Sequence, residues 1–332
     1  MPRTTYRTMP APARPTVALT AGLAALLLAG CTGAGGADAG GGGFAGAVPA
    51  PAAKSTPPPT GPYVALGDSY TAGLKIAPQV GEPAGCSRSG VNYPSLVAKG
   101  LGLAAAQFQD VSCSGARTGD LTGAQETGRG TNPPQLDALT GDTRLVTVGI
   151  GGNDAGFMEV VQECAKENLV DAVKGLVGAS RAASPCRAHY ASGGTDDVQR
   201  RVDAAGERLG GILQDIRRRS PRARVYVVGY PTLLPADPAG CERVLGKAVA
   251  PGDLGFLSEK EQQLNAMLRK RAEGAGAVFV DAAAPSAGHD MCAGEAARWV
   301  EPPFPAPGLA AIHPNAKGQE AVAAAVLKAV RG

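Results

Sequence analysis

Tyr63-Val64-Ala65-Leu66-Gly67-Asp68-Ser69-Tyr70 decides the fold, because four apolar residues run into a tight turn that carries a serine. The apolar residues predict a buried strand, and Gly67 allows the sharp turn that follows it. In an open α/β sheet the reactive groups lie at the carboxyl ends of the strands. Ser69 is therefore expected at that edge, where its hydroxyl becomes a nucleophile if a histidine can accept its proton.

Short apolar runs along the chain predict the strands of one sheet. The predicted strands are Tyr63–Leu66, Phe108–Val111, Leu145–Val148, Val225–Val228 and Ala277–Val280. Near-continuous apolar strands are typical of a parallel sheet that helices cover on both faces.

Helical segments alternate with these strands. From about Asp196 to Arg219, apolar residues recur at steps of four and three and form one buried stripe. Ser258 and Glu261 have the spacing of a capping box and predict the start of a second helix. A last helix is expected from about Asn315 to Val330. This alternation predicts a three-layer α/β/α sandwich with a mostly parallel sheet.

The N-terminal residues predict export and lipid attachment. Three arginines within residues 3–14 precede an apolar run over residues 17–28 that is too short to span a bilayer stably. The run ends in Leu28-Ala29-Gly30-Cys31, which resembles a bacterial lipobox whose cysteine carries a diacylglycerol. An ordinary signal peptide followed by a chance cysteine is the alternative.

These features divide the chain into three parts. Residues 1–30 are expected to be a lipoprotein signal peptide. Residues 31–61 hold the lipidated Cys31 and a linker rich in Gly, Ala and Pro, whose composition predicts a flexible tether. Residues 62–332 suit one α/β catalytic domain.

Cysteine usage favours an oxidising compartment. The chain has seven cysteines, and lipidation of Cys31 would leave an even set. The other six are Cys86, Cys113, Cys164, Cys186, Cys241 and Cys292. Six cysteines can be joined into three disulfide bonds in 15 different ways. A metal site is disfavoured, because the sequence has no C-x-x-C pair and no histidine clustered with cysteines.

The charge balance disfavours a nucleic-acid partner. Lysine and arginine number 32 against 29 acidic residues, a formal net charge of +3, whereas nucleic-acid binding needs a strong basic patch. The run Arg217-Arg218-Arg219 is expected to end a helix, where cations complement the dipole.

Three further segments carry candidate chemistry. Gly151-Gly152-Asn153-Asp154 follows a predicted strand, and its asparagine offers an amide donor of the kind that an oxyanion needs. Ser112-Cys113-Ser114-Gly115-Ala116 is a loop at the same predicted edge. In His313-Pro314-Asn315 the proline fixes the histidine at a loop–helix junction. His189 and His289 are expected to lie in polar loops that contain Gly or Ser, and to be structural or exposed.

Four segments of this sequence, taken in order, resemble the four blocks of the SGNH (GDSL) hydrolase family. They are Gly67-Asp68-Ser69-Tyr70, Gly115, Gly151-Gly152-Asn153-Asp154 and His313-Pro314-Asn315. The resemblance covers essentially the whole folded part. It implies a flavodoxin-like sheet and a carboxylic-ester hydrolase that needs no metal or organic cofactor. Ser69 would be the nucleophile and His313 the general base, with an oxyanion hole made by Ser69, Gly115 and Asn153.

The resemblance extends to secreted actinobacterial esterases and lipases of that family, in which disulfide bonds join sequential neighbours. The implied pairs are Cys86–Cys113, Cys164–Cys186 and Cys241–Cys292.

One position departs from the family pattern. The family usually has an aspartate three residues before the histidine, and here that residue is Ala310. Some actinobacterial relatives use a backbone carbonyl instead, and this resemblance implies that the carbonyl of Ala310 or Ala311 orients His313. A carboxylate supplied from elsewhere in the chain is the alternative.

The sequence therefore predicts a monomeric, lipid-anchored esterase or lipase on the outer face of a bacterial cell membrane, with a released, secreted form as the alternative. Deacetylation of cell-wall or polysaccharide sugars is the second candidate, and acyl transfer or thioester hydrolysis uses the same machinery. A lipoprotein that binds a ligand without turnover is the candidate from another class. Trp299, the sole tryptophan, is expected either to line an acyl pocket or to pack in the core or a lid.

Overall fold

The computed structural model describes residues 59, 61–178, 180–246 and 249–332. The strands in this part are β1 (Tyr63–Gly67), β2 (Phe108–Asp110), β3 (Gln125–Thr127), β4 (Gly130–Asn132), β5 (Leu145–Gly149), β6 (Arg224–Val228) and β7 (Val278–Val280). Five of them form a parallel sheet in the order β2-β1-β5-β6-β7, and β3 pairs with β4 as an antiparallel ribbon. The five predicted strands are confirmed, whereas the ribbon had no counterpart in the sequence pattern.

Helices connect the strands. In the described residues they are α1 (Ser69–Ala72), α2 (Tyr93–Gly100), α3 (Phe157–Leu176), α4 (Pro185–Tyr190), α5 (Asp197–Arg219), α6 (Glu242–Leu245), α7 (Pro251–Gly274), α8 (Ala283–Ser286) and α9 (Ala316–Arg331). Asp196 caps α5 and Asn315 caps α9, each by accepting a backbone N–H in the first turn. Both predicted helices are confirmed, and Arg219 ends α5 as expected.

The predicted helix start at Ser258 is wrong. Helix α7 begins seven residues earlier at Pro251, whose ring suits the first helical position, and Ser258 lies inside it. The Ser258 hydroxyl accepts from Gln262, one turn later. The Glu261 carboxylate accepts from the N–H of Leu233 instead of closing a capping box. The local spacing rule failed here because the helix already begins at Pro251, so Ser258 has no free N-terminal position to cap.

Alternation along the central strand β1 produces the layers. Val64 and Leu66 face a core that α5 and α7 complete, whereas Tyr63 and Ala65 face a second core under α2 and α9. Both faces of the sheet are therefore covered, and the three-layer α/β/α sandwich is confirmed. The register pairs Gly67 of β1 with Gly149 of β5, so the loops after these strands leave the sheet side by side.

Three disulfide bonds secure the loops and helices around the sheet. They join Cys86 to Cys113, Cys164 to Cys186 and Cys241 to Cys292. The predicted signal peptide, Cys31 and nearly all of the predicted linker lie outside the described residues. Within the part that the structure describes, no helix has the length and apolar character required to cross a bilayer.

Candidate active site

Ser69 lies just after the carboxyl end of β1, behind a sharp turn that requires glycine at position 67. A Cβ on Gly67, whose φ is +156°, would lie 2.2 Å from the Thr71 hydroxyl and 2.6 Å from the Gly149 carbonyl oxygen. Asp68 then caps α1 by accepting the N–H of Tyr70 at 2.9 Å. The short helix thus begins at Ser69 and holds its side chain at the edge of the sheet.

The Ser69 hydroxyl lies 2.8 Å from Nε2 of His313. The other ring nitrogen, Nδ1, donates to the carbonyl of Ala311 at 2.7 Å, which leaves Nε2 as the acceptor for the serine proton. The orienting carbonyl belongs to Ala311 and not to Ala310. Burial lowers the pKa of His313 below its ordinary 6.5 despite the Ala311 contact, and the charge of Lys75 lowers it further. The ring is therefore neutral at neutral pH, as a general base must be.

No carboxylate forms an ion pair with His313 within the described ranges. Glu301, the acid that precedes His313 most closely in the chain, is buried and otherwise engaged. Its carboxylate accepts from Arg298 at 3.1 Å and from the side-chain amide of Asn315 at 2.9 Å. Ser69 and His313 thus form a pair whose third partner is a backbone oxygen.

Backbone pairing fixes the loop that carries His313. The N–H of Glu301 donates to the His313 carbonyl at 2.9 Å, and the N–H of Ile312 donates to the Glu301 carbonyl at 3.0 Å. Ile312 has a φ of +58°, a strained conformation for a β-branched residue. The Tyr70 hydroxyl donates to the Ile312 carbonyl at 2.5 Å and holds that conformation in place. The strain therefore lies directly before the histidine, where it sets the direction of the ring.

Three potential donors belong to residues that line the cavity beside the Ser69 hydroxyl. Among the residues that the structure describes, neither the Ser69 N–H nor the Gly115 N–H donates a hydrogen bond. Asn153 gives one amide hydrogen to the Ala116 carbonyl at 2.9 Å, and its second amide hydrogen stays available. Ser69, Gly115 and Asn153 all line the same cavity. The structure thus brings together the predicted donors and the Ser69–His313 pair.

A buried chain of hydrogen bonds beneath Ser69 was missed by the sequence reasoning. The Tyr230 hydroxyl donates to Asp68 at 2.6 Å and accepts from the Gly152 N–H at 2.8 Å. Burial raises the pKa of Asp68 from 3.8 to about 6, although the Tyr230 bond opposes the rise. The chain links the serine loop to the Gly152-Asn153 loop. Tyr230 follows the end of β6, and that position at the active edge was the available signal.

Gln135 was also missed, although it holds the turn directly. Its side-chain oxygen accepts the Gly67 N–H at 2.8 Å and its amide donates to the Gly67 carbonyl at 2.9 Å. The two residues are 68 positions apart, so no local pattern connects them.

The cavity beside Ser69 has a volume of about 240 Å³. Its apolar walls come from Leu74, Phe157, Met158, Leu233 and Leu264. Glu261 also lines it, and burial raises the pKa of this carboxyl to about 8. At neutral pH Glu261 is therefore mainly protonated, and the aliphatic and aromatic part of the wall suits an apolar group.

The remaining aromatic candidates lie outside this cavity. His289 stacks on Trp299 with ring centroids 3.9 Å apart, so the packing alternative for Trp299 is the one observed. His189 lies on α4 and not in the expected loop. Its ring and the carboxylates of Glu163 and Glu167 place possible metal-ligand atoms within 4.8 Å of one another. That group is partly exposed and shares no residue with the Ser69 cavity.

Comparison with known proteins identifies relatives of this chain. Residues 65–321 match the model of the GDSL-like lipase/acylhydrolase family. Lipase 2 of Streptomyces coelicolor is 38% identical over 82% of this chain and 86% of its own length. An esterase of Streptomyces scabiei is 34% identical over 75% of this chain and 77% of its own length.

A solved structure shows the same likeness in three dimensions. The crystal structure of phospholipase A1 from Streptomyces albidoflavus superposes with a TM-score of 0.63 at 27% identity. The match covers 82% of this chain and all of that one.

Proposed function

Because the chain belongs to the GDSL-like lipase/acylhydrolase family and is a carboxylic-ester hydrolase, we propose that Ser69 is its nucleophile and His313 its general base. The observation that carries the proposal is the 2.8 Å contact between the Ser69 hydroxyl and Nε2 of His313 at the mouth of an apolar cavity.

The reaction proceeds through an acyl-enzyme. Ser69 Oγ attacks the ester carbonyl while Nε2 of His313 takes its proton, and the carbonyl oxygen becomes an oxyanion. The N–H groups of Ser69 and Gly115 and the free amide hydrogen of Asn153 stabilise that charge. His313 then protonates the leaving alcohol. It next removes a proton from water, which attacks the acyl carbonyl and releases the acid and free Ser69.

The backbone carbonyl of Ala311 replaces the usual carboxylate. It fixes the ring orientation and the tautomer through a 2.7 Å bond to Nδ1 of His313. A carbonyl carries no full charge, so its stabilisation of the imidazolium is weaker than a carboxylate would give.

The cavity favours short or medium apolar acyl groups. Its volume of about 240 Å³ lies below the roughly 300–1,000 Å³ of pockets that enclose drug-sized ligands. Most of its exposed wall is apolar, which favours an aliphatic acyl chain over a polar sugar. Esters of aliphatic acids are therefore preferred as substrates over acetylated polysaccharides.

The nucleophile is tested with a fluorophosphonate probe and short p-nitrophenyl esters. Ser69→Ala should abolish labelling and lower kcat/KM by at least roughly 10³-fold. Ser114→Ala is the matched control, because Ser114 lines the same cavity and its hydroxyl is buried without a partner among the described residues. Full activity in Ser69→Ala, or equal losses in both variants, would sink the assignment.

The replacement of the acid by a carbonyl is tested separately. His313→Ala should cost at least roughly 10³-fold in kcat/KM, whereas Glu301→Gln should cost less than roughly tenfold. A loss in Glu301→Gln that matches the His313→Ala loss would instead reveal a hidden triad.

We further propose that the chain is exported and lipidated at Cys31 after removal of residues 1–30. Support comes from the lipobox-like sequence and from the similarity to a lipase of Streptomyces rimosus described as extracellular. Metabolic labelling with an alkyne fatty acid should tag the wild-type protein. Cys31→Ser should lose the tag and leave the membrane fraction; an unlabelled wild-type protein would contradict lipidation and leave the hydrolase assignment intact.

A further inference from the structure

A second cavity adjoins the cavity beside Ser69, here called the acyl cavity. The second cavity has a volume of about 670 Å³, against about 240 Å³ for the acyl cavity. Among the described residues that line these two spaces, Glu261 is the one that both walls share. Glu261 is only 5% exposed, so its side chain lies inside the protein between the two spaces and not on an outer rim.

The chain around Glu261 divides between the two cavities. On α7, Leu264 lines the acyl cavity and Asn265 lines the second cavity. On the segment after β6, Leu233 lines the acyl cavity and Leu234 lines the second cavity. The Glu261 carboxylate joins the helix to this segment, because it accepts the Leu233 N–H at 3.0 Å and a second backbone hydrogen bond from Leu234. Glu261 thus belongs to a partition with one cavity on each side.

The partition presents a polar group to an otherwise apolar part of the acyl cavity. Phe157, Met158 and Leu264 contribute apolar side chains to that wall, whereas Glu261 contributes a carboxyl. Burial raises the pKa of Glu261 to about 8, and the charge of Asp290 in the wall of the second cavity also raises it. A mainly protonated carboxyl tolerates the end of a short acyl chain. It also fills the space that further methylene groups would need.

The second cavity has apolar surface that suits methylene groups. Leu234, Ala266 and Phe279 line it, together with polar side chains. The guanidinium of Arg269 lies 4.4 Å from the centroid of the Phe279 ring, so this cation is held against an aromatic face of the same wall. Glu261 stands between this apolar surface and the acyl cavity.

We propose that Glu261 sets the upper limit on acyl-chain length. Its carboxyl forms the end wall of the acyl cavity, and its removal joins the two cavities into one channel that holds a longer aliphatic chain. The wild-type chain therefore prefers esters of short acids. This inference rests on the proposed function, because the acyl chain enters the cavity in order to be attacked by Ser69.

The test is the ratio of kcat/KM for p-nitrophenyl octanoate to kcat/KM for p-nitrophenyl butanoate, both fully dissolved. Glu261→Ala should raise this ratio at least tenfold, because each methylene held in a hydrophobic pocket changes kcat/KM by about tenfold or more. Glu261→Gln keeps the size of the side chain and should leave the ratio within about twofold of wild type. An unchanged ratio in folded Glu261→Ala, or an equal rise in Glu261→Gln, overturns the proposal.

Ala266→Trp is the control on the far side of the partition. Ala266 is exposed and lines the second cavity, so a larger side chain there takes up space within it. Alone it should not move the ratio, because Glu261 still closes the acyl cavity. Combined with Glu261→Ala it should return the ratio to within about threefold of wild type. A ratio that stays high in the double variant would show that the longer chain does not enter the second cavity.

Glu261→Asp decides the question if Glu261→Ala does not fold. It keeps the carboxyl and shortens the side chain by one methylene. The octanoate-to-butanoate ratio should then rise at least about threefold, and a ratio equal to that of wild type would overturn the proposal.

Binding separates this proposal from the hydrolase assignment. In a Ser69→Ala background, calorimetry should show that Glu261→Ala strengthens octanoate binding at least about tenfold relative to butanoate binding. Both acids carry the same carboxylate, so the loss of an acidic group at position 261 cancels in the comparison. Unchanged relative affinities would overturn the proposal. If the wild-type chain hydrolysed neither ester, the proposed function would fail and the relative affinities would still decide the role of Glu261.

Discussion

Tyr230→Phe removes one oxygen atom from the buried chain beneath Ser69. The hydroxyl donates to Asp68 at 2.6 Å and accepts from Gly152 at 2.8 Å, so its loss strips two buried groups of a partner. A hydrogen bond to an ionised group contributes about 1.5–3 kcal/mol, against about 0.5–1.5 kcal/mol for a neutral pair. The orphaned Gly152 N–H adds about 1–3 kcal/mol. The variant should therefore lose about 2–5 kcal/mol in free energy of unfolding.

The loss should depend on pH, because Asp68 has a pKa of about 6 against an ordinary 3.8. The unfolded carboxyl releases its proton first, so the wild-type free energy of unfolding falls as the pH rises from about 4 to about 6. Above pH 6 the folded carboxylate is charged and needs Tyr230 most. The variant should thus be about 1 kcal/mol more destabilised at pH 8 than at pH 5.

Urea unfolding followed by circular dichroism at the two pH values measures this difference. Tyr226→Phe is the matched control, since Tyr226 is fully buried and its hydroxyl has no hydrogen-bond partner among the described residues. That change removes a buried hydroxyl that has no partner, so it should not destabilise the protein and should stabilise it by up to about 1–3 kcal/mol, equally at both pH values. Equal effects of the two substitutions, or a Tyr230→Phe loss that ignores pH, would refute the reasoning.

Three further predictions concern the site and its turn. When kcat/KM is plotted against pH, its fall on the acidic side should have a midpoint below pH 6.5, because burial lowers the pKa of His313. Lys75→Gln should move that midpoint upward, since the charge of Lys75 also lowers this pKa. A wild-type midpoint above pH 6.5 would contradict this. Glu261 has a pKa of about 8 against an ordinary 4.5, so the wild-type free energy of unfolding should fall as the pH rises from about 4.5 to about 8 and level off above that. KM for apolar esters should rise as the wall ionises around pH 8. Glu261→Gln should flatten both curves, and a wild-type KM that does not change around pH 8 would contradict this. Gln135→Leu removes both hydrogen bonds that the side chain makes to Gly67. Denaturant titrations should show a free energy of unfolding lower by about 2–4 kcal/mol. A loss below about 0.5 kcal/mol would show that the turn holds without the Gln135 side chain.

Local patterns predicted the sheet well, because a buried parallel strand must be apolar along its length. The run Leu145–Val148 shows this, since it lies in the central sheet with both faces covered. The same reasoning placed Ser69 and Asn153 at one edge, since both follow strands whose ends are in register. The capping-box spacing at Ser258 failed because α7 begins at Pro251, and the Glu261 carboxylate instead accepts from the Leu233 N–H, 28 positions away.

What the sequence could not supply were the contacts between remote segments. Tyr230 reaches Asp68 across 162 positions, and no period or spacing encodes that distance. From the sequence alone, the carbonyl of either Ala310 or Ala311 could accept the hydrogen bond from His313. The strained Ile312 turns the chain so that Ala311 accepts from Nδ1, and only three-dimensional geometry distinguishes the two.

The contact between Ser69 and His313 joins points 244 positions apart in the chain. A chain that emerges N-terminus first presents Ser69 long before His313. Under the proposed function, a partly emerged chain therefore holds a nucleophile without its base, and hydrolysis begins only after nearly the whole polypeptide has folded.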